Sequence, residues 1–144
     1  MNAENYMRLE FPAKSVNEGY ARAAVAAFVS QLDPTLSETG DIKTAVSEAV
    51  TNAVVHAYPN QIGTIQIRAR ILKDDVFELV VRDHGVGIPD IEKAMTPLYT
   101  TGGSERSGMG FTIMGSFMDS LRVRSKTGKG TTVTMRRRIQ RRGV

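Results

Sequence analysis

The sequence predicts an α+β fold, a two-layer sandwich in which helices pack on one face of a mixed β-sheet. Three observations support this fold class. Met7, Leu9 and Phe11 alternate with polar residues, as expected of a half-buried strand. Residues 64–72 and 76–82 form two more strand-like runs around a short polar turn. Helical patterns separate these segments, and helices lying between such strands are typical of a sheet covered on one side.

Two helices are predicted between the first strand and the hairpin. Ser15 and Glu18 have the spacing of a capping box, so the first helix is expected to begin there and to end before Asp33. The second helix is predicted over residues 37–56. Its apolar residues recur at three- and four-residue steps, and they are Ile42, Ala45, Val46, Ala49, Val50 and Ala53.

The last third of the chain is predicted to hold a loop, a helix and a strand. Residues 97–110 are rich in Gly, Ser and Thr, which indicates a mobile loop. Residues 111–121 place large apolar side chains on one helical face, and residues 131–139 predict a final strand.

Length and composition predict one domain, 1–144, that ends in a basic tail, 136–144. A hydrophobic content of 41% is sufficient for a core, and the absence of cysteine excludes a disulfide scaffold, a cysteine-based metal site and a thiol nucleophile. The N-terminal segment lacks the pattern of a secretion signal, and no run approaches about 20 consecutive apolar residues. We therefore expect a cytoplasmic protein with no membrane segment.

The formal net charge of +4 is concentrated near the C-terminus of the sequence. The basic residues there are Arg136, Arg137, Arg138, Arg141 and Arg142. Such a tail can touch nucleic acid or an acidic partner, but a solvated terminus explains the same residues. Because the rest of the chain is close to neutral, we do not expect direct nucleic-acid binding.

Glu48 and Asn52 are the first candidate functional residues. On the predicted second helix they lie about 40° apart, at the edge of the apolar stripe. A carboxylate and an amide at the border of a core are costly unless they face a polar cavity, and their oxygens are ligands that Mg²⁺ prefers. The alternative is an ordinary exposed polar pair.

Asp83, Gly85 and Gly87 form a second candidate site directly after the strand 76–82. A carboxylate at the end of a strand can accept a hydrogen bond from an exocyclic amine, and the two glycines let backbone approach a flat ring. An ordinary glycine-rich turn at a strand end is the alternative.

Two further glycine-rich segments follow. Residues 107–110 lead into the third predicted helix, and free N–H groups at a helix start favour an anion. This segment fits neither the Walker A pattern nor a complete dinucleotide fingerprint, and a flexible connection is its alternative. Residues 128–132 precede the last strand and, taken alone, indicate a hairpin turn.

In their order along the chain, these segments resemble the motifs of the ATP-binding superfamily of gyrase, Hsp90, sensor histidine kinases and MutL. Residues 47–53 resemble its N-box, residues 83–88 its first glycine box and residues 108–110 its second. The resemblance covers nearly the whole chain and implies a Bergerat-type ATP-binding fold.

A closer resemblance is to the bacterial anti-sigma factors of the sigma-F type, which are also serine protein kinases. It is carried by residues 49–56, 86–92 and 105–114. The sequence departs from the expected pattern at Ala57, where relatives often carry Gly, and at Gly102-Gly103, where a bulkier lid is expected. These departures concern the loop over the nucleotide more than the chemistry.

The resemblance implies a role for each matching residue. Glu48 is the implied catalytic base, and Asn52 is the implied Mg²⁺ ligand. Asp83 and Thr131 are expected to hold adenine, and residues 101–107 to form a lid. The implied nucleotide-binding residues are Asn52, Asp83, Gly85, Gly87, Thr101, Arg106, Gly108, Gly110 and Thr131.

The resemblance also implies partners. We expect a homodimer that binds a sigma factor and phosphorylates an anti-anti-sigma protein on serine with Mg-ATP. The first strand and helix are the expected dimer and sigma-binding side, with Arg22 as a candidate contact. An ATP-gated binding module without kinase activity and direct nucleic-acid binding through the basic tail are the alternatives.

Overall fold

The computed structural model describes residues 3–59, 61–95 and 110–140. The strands are β1 (Asn5–Pro12), β2 (Thr64–Leu72), β3 (Val76–Asp83), β4 (Ser120–Lys126) and β5 (Gly130–Arg138). The helices are α1 (Asn17–Val29), α2 (Leu36–Asn52), the single-turn α3 (Ile91–Ala94) and α4 (Gly110–Phe117). In this part of the chain, no helix is long and apolar enough to cross a membrane.

The five strands form one sheet in the order β1-β2-β3-β5-β4. All four pairings are antiparallel, whereas the sequence analysis expected a mixed sheet. The reason is that β2–β3 and β4–β5 reverse direction through short turns, and β3 and β4, which run in the same direction, are separated by β5. The predicted α+β class and its two-layer arrangement are confirmed.

One face of the sheet builds the core with the helices. Alternate residues of β2 and β3, among them Ile65, Ile67, Phe77 and Leu79, are fully buried. They pack with the apolar stripe of α2, where Ile42, Ala45, Val46 and Val50 are inaccessible to solvent. The opposite positions on the strands are more exposed and mostly polar. The helices α1, α2 and α4 therefore lie together on one side.

The capping box occurs on a different helix from the one predicted. Val16 precedes α1 without a side-chain cap, so the predicted Ser15–Glu18 box does not form. Instead, Thr35 accepts from the backbone N–H of Glu38, and the Glu38 carboxylate accepts from the N–H of Thr35. This box fixes the start of α2, the helix that carries Glu48 and Asn52.

The predicted third helix is too long, because residues 120–126 form β4, a strand that the sequence analysis missed. Leu121, assigned to a helical face, lies in β4 opposite Met135. Arg136, Arg137 and Arg138 belong to β5, so the segment predicted as a tail from residue 136 begins inside the sheet. Residues 141–144 lie outside the described residues.

Residues 53–57 continue α2 with one turn of π-helix. Such wide turns are often found at functional sites because they displace the following backbone from a regular helix. The carbonyl of Ala57 at its end accepts a hydrogen bond from the N–H of Val86, 2.9 Å away. This contact ties the end of the N-box helix to the loop after β3.

Candidate functional site

A cavity of about 610 Å³ lies between α2, β3, β5 and the start of α4. This volume is typical of a small-molecule site. Polar side chains in its wall come from four different segments, and they include Asn52, His56, Asp83, Asp90, Lys93 and Thr131. Apolar residues such as Ala53, Val81, Ile88 and Phe111 complete the wall, which suits a flat heterocycle with a polar edge.

Asp83 is the most buried acidic side chain in this cavity, with 8% of its surface exposed. Its Oδ1 accepts from the backbone N–H of Gly85 at 3.0 Å and of Thr131 at 3.2 Å. Burial raises the pKa of Asp83, and these two hydrogen bonds only partly oppose the shift. No donor from the described residues reaches Oδ2, which leaves this oxygen to accept from a ligand.

Glycines around Asp83 allow backbone segments to meet at very short range. A Cβ on Gly85 would lie 2.1 Å from the carbonyl oxygen of Ala57, and one on Gly130 would lie 2.1 Å from that of Asp83. Gly87 has a φ of +80°, a conformation that glycine adopts without strain. The glycines predicted from the sequence are therefore needed to bring Asp83, Ala57 and β5 together.

Thr131 is supported by a hydroxyl that the sequence analysis did not single out. The Ser125 Oγ donates to the carbonyl of Gly130 and accepts from the N–H of Ile88 at 2.7 Å. Because this hydroxyl has one hydrogen, the 2.9 Å contact between Ser125 and Thr131 makes Thr131 the donor. The Thr131 oxygen consequently presents lone pairs, as an acceptor for water or a ligand.

Asn52 lies against the N-terminus of α4. A Cβ added to Gly110 would come within 2.9 Å of both terminal atoms of the Asn52 side chain. The first N–H groups of a helix have no intrahelical partner and favour an anion, so an amide oxygen and an anion site adjoin here. The helix that carries Asn52 and the second glycine segment therefore meet at Gly110.

Glu48 is half-buried on α2, one turn before Asn52. Unlike Asn52, it does not line the cavity as formed by the described residues. The structure thus places Glu48 beside the pocket and Asn52 in its wall.

Arg22 on α1 is linked to the helix that carries Glu48. Its Nη1 lies 3.1 Å from Oε1 of Glu18 and donates to the Ser47 hydroxyl at 3.0 Å. The second oxygen of Glu18 accepts from the Thr51 hydroxyl at 3.0 Å. Ser47 and Thr51 directly precede Glu48 and Asn52, so this network joins α1 to the part of α2 that carries these two residues.

Several predicted site residues cannot be placed. Thr101, Arg106 and Gly108 lie outside the described residues, as do Gly102-Gly103 and the rest of the expected lid. Their nucleotide contacts stay predictions.

Comparison with known proteins identifies the family. The model of the histidine kinase-like ATPase domain matches residues 11–137. An anti-sigma F factor of Caldanaerobacter subterraneus subsp. tengcongensis is 58% identical, covering 98% of this chain and 99% of the relative. The chain belongs to the histidine kinase-like ATPase domain family and, within it, to the anti-sigma F factor family. Anti-sigma F factors of Geobacillus kaustophilus (57% identity, 94% of this chain, 93% of the relative) and Clostridium acetobutylicum (54%, 94% and 95%) are similar over nearly the same length.

Solved structures support the fold of this family member. The RsbU and RsbW domains of a Mycobacterium tuberculosis protein match with a TM-score of 0.70 and 21% identity, over 95% of this chain and 32% of that one. A blue-light activated histidine kinase of Erythrobacter litoralis matches with a TM-score of 0.57 and 22% identity, over 85% and 61%. The predicted Bergerat-type fold is confirmed.

The residues of the cavity fit a nucleotide. The free Oδ2 of Asp83 suits an exocyclic amine, the nearby apolar wall suits a base, and Asn52 with the α4 N-terminus suits a phosphate. Within the described ranges there is no cluster of three or more metal-ligating side chains. Mg²⁺ in such sites takes one or two protein ligands together with phosphate oxygens, so a single amide oxygen at Asn52 fits that role.

Two supporting residues were missed in the sequence. The Tyr58 hydroxyl donates to the carbonyl of Thr64 and accepts from the N–H of His84, both at 2.8 Å, and so fixes the loop after β3. Ser125 was missed because its strand, β4, was not predicted. A lone Ser in a polar segment carries no local signal for such a role.

Proposed function

We propose that this family member is an anti-sigma factor that binds and inhibits a sporulation sigma factor of the sigma-F type. In the same proposal it uses Mg-ATP to phosphorylate an anti-anti-sigma protein on serine. The observation that carries the proposal is the 58% identity to an anti-sigma F factor over 98% of this chain, together with a cavity whose wall contains Asn52, Asp83 and Gly110. Acting on a sigma factor, it would work in the cytoplasm.

Adenine recognition is assigned to Asp83 and Thr131. The buried carboxylate accepts from the exocyclic amine through Oδ2, while Oδ1 stays engaged with the backbone of Gly85 and Thr131. The Thr131 hydroxyl, whose hydrogen is directed to Ser125, accepts from a water that bridges to the base. Gly87 allows the base to lie against the backbone.

Phosphate positioning is assigned to Asn52, Gly110 and the lid. The amide oxygen of Asn52 would hold Mg²⁺, which neutralises charge on the phosphates when bound. The N–H groups at the start of α4 bind phosphate oxygens, and we assign Thr101, Arg106 and Gly108 to the same task on sequence grounds.

Glu48 is assigned as the base. During transfer, the serine oxygen of the partner forms a bond to the γ-phosphorus while the bond to the β,γ-bridging oxygen breaks and ADP leaves. The serine proton passes to the Glu48 carboxylate. A positioned base of this kind contributes about 10²–10⁴-fold to the rate.

Partner binding is assigned to the side formed by β1 and α1. Val16 and Tyr20 are exposed large apolar residues one turn apart, and Tyr6 is exposed on the edge strand β1. Arg22 is on the same helix, α1, and 40% of its side chain is exposed. Homodimerisation and sigma binding both fall to this side in the proposal, and the Arg22 network links it to α2.

A second function, an ATP-gated binding module without kinase activity, is favoured by one observation. Glu48 does not line the cavity formed by the described residues. If it does not reach the serine hydroxyl in the complex, ATP would serve only to shape the partner surface.

The anti-sigma function is tested by transcription from a promoter that depends on the cognate sigma factor. We expect the protein with ATP to inhibit transcription and to retain the sigma factor in a pull-down, and Arg22→Ala to weaken both. Lys73→Ala, a change at the exposed β2–β3 turn, serves as the control. Full transcription at saturating protein and ATP would refute the anti-sigma function.

A further inference from the structure

The sheet face that points away from the helices is dominated by arginine. Alternation and strand register place eight arginines, Lys126 and two glutamates on it, and none of the described helices covers it. The arginines are Arg8, Arg68, Arg70, Arg82, Arg122, Arg124, Arg136 and Arg138. We call this surface the arginine face. Its formal excess of seven positive charges exceeds the net charge of the whole chain, +4.

Glu78 organises the centre of the arginine face. It is 1% exposed, and its carboxylate accepts from Nε of Arg70 at 2.7 Å and from Nε of Arg136 at 2.9 Å. Nη2 of Arg68 lies 3.8 Å away, and Nε of Arg68 has no hydrogen-bond partner among the described residues. One carboxylate thus holds two guanidinium groups in place, and it neutralises only part of the surrounding charge.

The remaining arginines are not neutralised in this way. Arg82 on β3 and Arg122 and Arg124 on β4 are exposed, and no acidic residue lies directly opposite them in the register. Arg8 and Arg68 lie directly opposite each other on β1 and β2. Like charges in that position destabilise a sheet, so the arrangement costs stability. Such a cost is consistent with a role in binding.

The composition of the arginine face favours nucleic acid over an acidic protein. Val80 is the apolar residue near its centre, and Tyr6, Pro12, Leu72 and Val76 lie towards its edges, whereas the centre of a protein interface is depleted in charge. Protein–nucleic acid interfaces are more polar and far more positive. Eight arginines and only Lys126 among the lysines also fit phosphate, which the planar guanidinium binds in a bidentate manner.

The geometry favours a duplex over a single strand. Single strands are usually bound by stacking on aromatic side chains, and Tyr6 is the only aromatic residue at the outward positions of the register. Five strands spaced by about 4.8 Å make a face about 19 Å across. This is wider than the major groove of about 12 Å, so arginines at its two sides reach both backbones that border a groove.

We propose that the arginine face binds the phosphate backbone of double-stranded DNA without reading its sequence. This is a further activity, beyond sigma-factor binding and kinase chemistry. Direct nucleic-acid binding was not expected from the sequence, because the chain outside the C-terminal arginines is close to neutral and the arginines of this face are scattered along it. Only the antiparallel register brings Arg8, Arg82 and Arg124 onto one surface.

The proposal predicts a steep dependence of affinity on salt. If about five phosphates are neutralised, the slope of log affinity against log salt is about −4.5, and affinity falls by about 10²–10³-fold between about 50 and 200 mM. The measurement is fluorescence anisotropy of a labelled DNA duplex of unrelated sequence, titrated with the full-length protein.

The test variant combines Arg82→Gln, Arg122→Gln and Arg124→Gln, which leave the Glu78 cluster intact. We expect its slope to become shallower by about 2.7 and its affinity at low salt to fall at least about tenfold, with ATP affinity unchanged. The control combines Lys14→Gln, Lys43→Gln and Lys73→Gln, which removes the same charge away from the arginine face. It should change the slope by less than about 1.

A second variant, Arg8→Gln, separates binding from folding. It removes one member of the like-charged Arg8–Arg68 pair, so DNA binding should weaken while the melting temperature stays level or rises.

Three results would overturn the proposal. The first is equal loss of binding in the arginine and lysine variants, because the effect would then be one of net charge alone. The second is loss of binding on truncation after Gln140, which would assign it to the C-terminal residues. The third is tighter binding of single-stranded DNA, or displacement of the duplex by poly-glutamate at equal charge concentration, which would assign the arginine face to a single strand or to an acidic protein.

Discussion

Asp83 combines burial, two backbone hydrogen bonds and one oxygen that remains available to a ligand. Its chemistry decides whether the cavity recognises adenine. In the variant Asp83→Asn, Oδ1 must still accept from Gly85 and Thr131, so the NH₂ group would oppose the adenine amine. We expect ATP affinity to fall by about 10–150-fold, the loss of a charged hydrogen bond of about 1.5–3 kcal/mol. Calorimetry measures this, with Asp74→Asn at the exposed β2–β3 turn as the control. An unchanged affinity in Asp83→Asn would remove Asp83 from adenine recognition.

The pH dependence of ATP binding follows from the same residue. Burial raises the pKa of Asp83, and the ionised form is the one that accepts from adenine. The native state therefore takes up a proton at a higher pH than the unfolded chain, and ATP affinity should fall on acidification above the ordinary aspartate pKa of about 3.9. Titration of ATP binding between neutral pH and about pH 4.5 tests this. A flat profile over that range would contradict it.

A substitution of Glu48 tests phosphate transfer separately from ATP binding. Glu48→Gln keeps the size of the side chain but cannot take up the serine proton, so ATP affinity should persist while phosphorylation slows by about 10²–10⁴-fold. Asp74→Asn, an exposed change at the β2–β3 turn, is the control. Phosphorylation at a near-normal rate in Glu48→Gln would exclude Glu48 as the base and favour the ATP-gated binding module.

Among the contacts between secondary-structure elements, the contact between α2 and α4 is the one on which nucleotide binding depends most. Gly110 begins α4 where a Cβ would come within 2.9 Å of the Asn52 amide, so Gly110→Ala must displace Asn52 or the helix start. We expect a loss of ATP and Mg²⁺ affinity of about tenfold or more with little change in melting temperature, because the cavity edge moves and the core does not. Gly115→Ala, which meets only a side chain at 3.8 Å, is the control. Equal ATP affinity in both variants would contradict the role of this contact.

The start of α2 makes an acid-sensitive contribution to stability. Burial raises the pKa of Glu38, but hydrogen bonds from Thr35 and the backbone of Gln140, with the charge of Arg137, outweigh it and lower the pKa. A lowered carboxyl pKa gives stability that is present above the unfolded value, about 4.3, and is lost as the pH falls through the lower folded value. Glu38→Gln should therefore reduce stability at neutral pH and flatten the acid limb of a denaturation profile. An unchanged acid limb would show that Glu38 is not linked to folding.

At the scale of the whole molecule, the fold and the candidate site were predictable to different degrees. The hydrophobic alternation of β2 and β3 and the amphipathic pattern of α2 are local signals, and they predicted these elements closely. The motif order placed Asp83, Asn52 and Gly110 around one cavity, as the structure finds.

The features that were predicted wrongly from the sequence depend on contacts between distant segments of the chain. β4 was missed because Leu121 and Val123 continue the apolar pattern of the preceding helix, and only pairing with β5 makes them a strand. The predicted basic tail failed in part because Arg136 and Arg137 are held in the sheet by Glu78 and Asp41. The arginine face has no signal within any short window of sequence.

We propose that this chain transfers phosphate to a serine of its partner. This is tested by mixing the purified protein with γ-labelled ATP, Mg²⁺ and the cognate anti-anti-sigma protein and mapping the label by mass spectrometry. We expect label on one serine of the partner, dependent on Asp83 and Glu48. No label on the partner, with ATP binding intact, would contradict the kinase activity and leave an ATP-gated binding module.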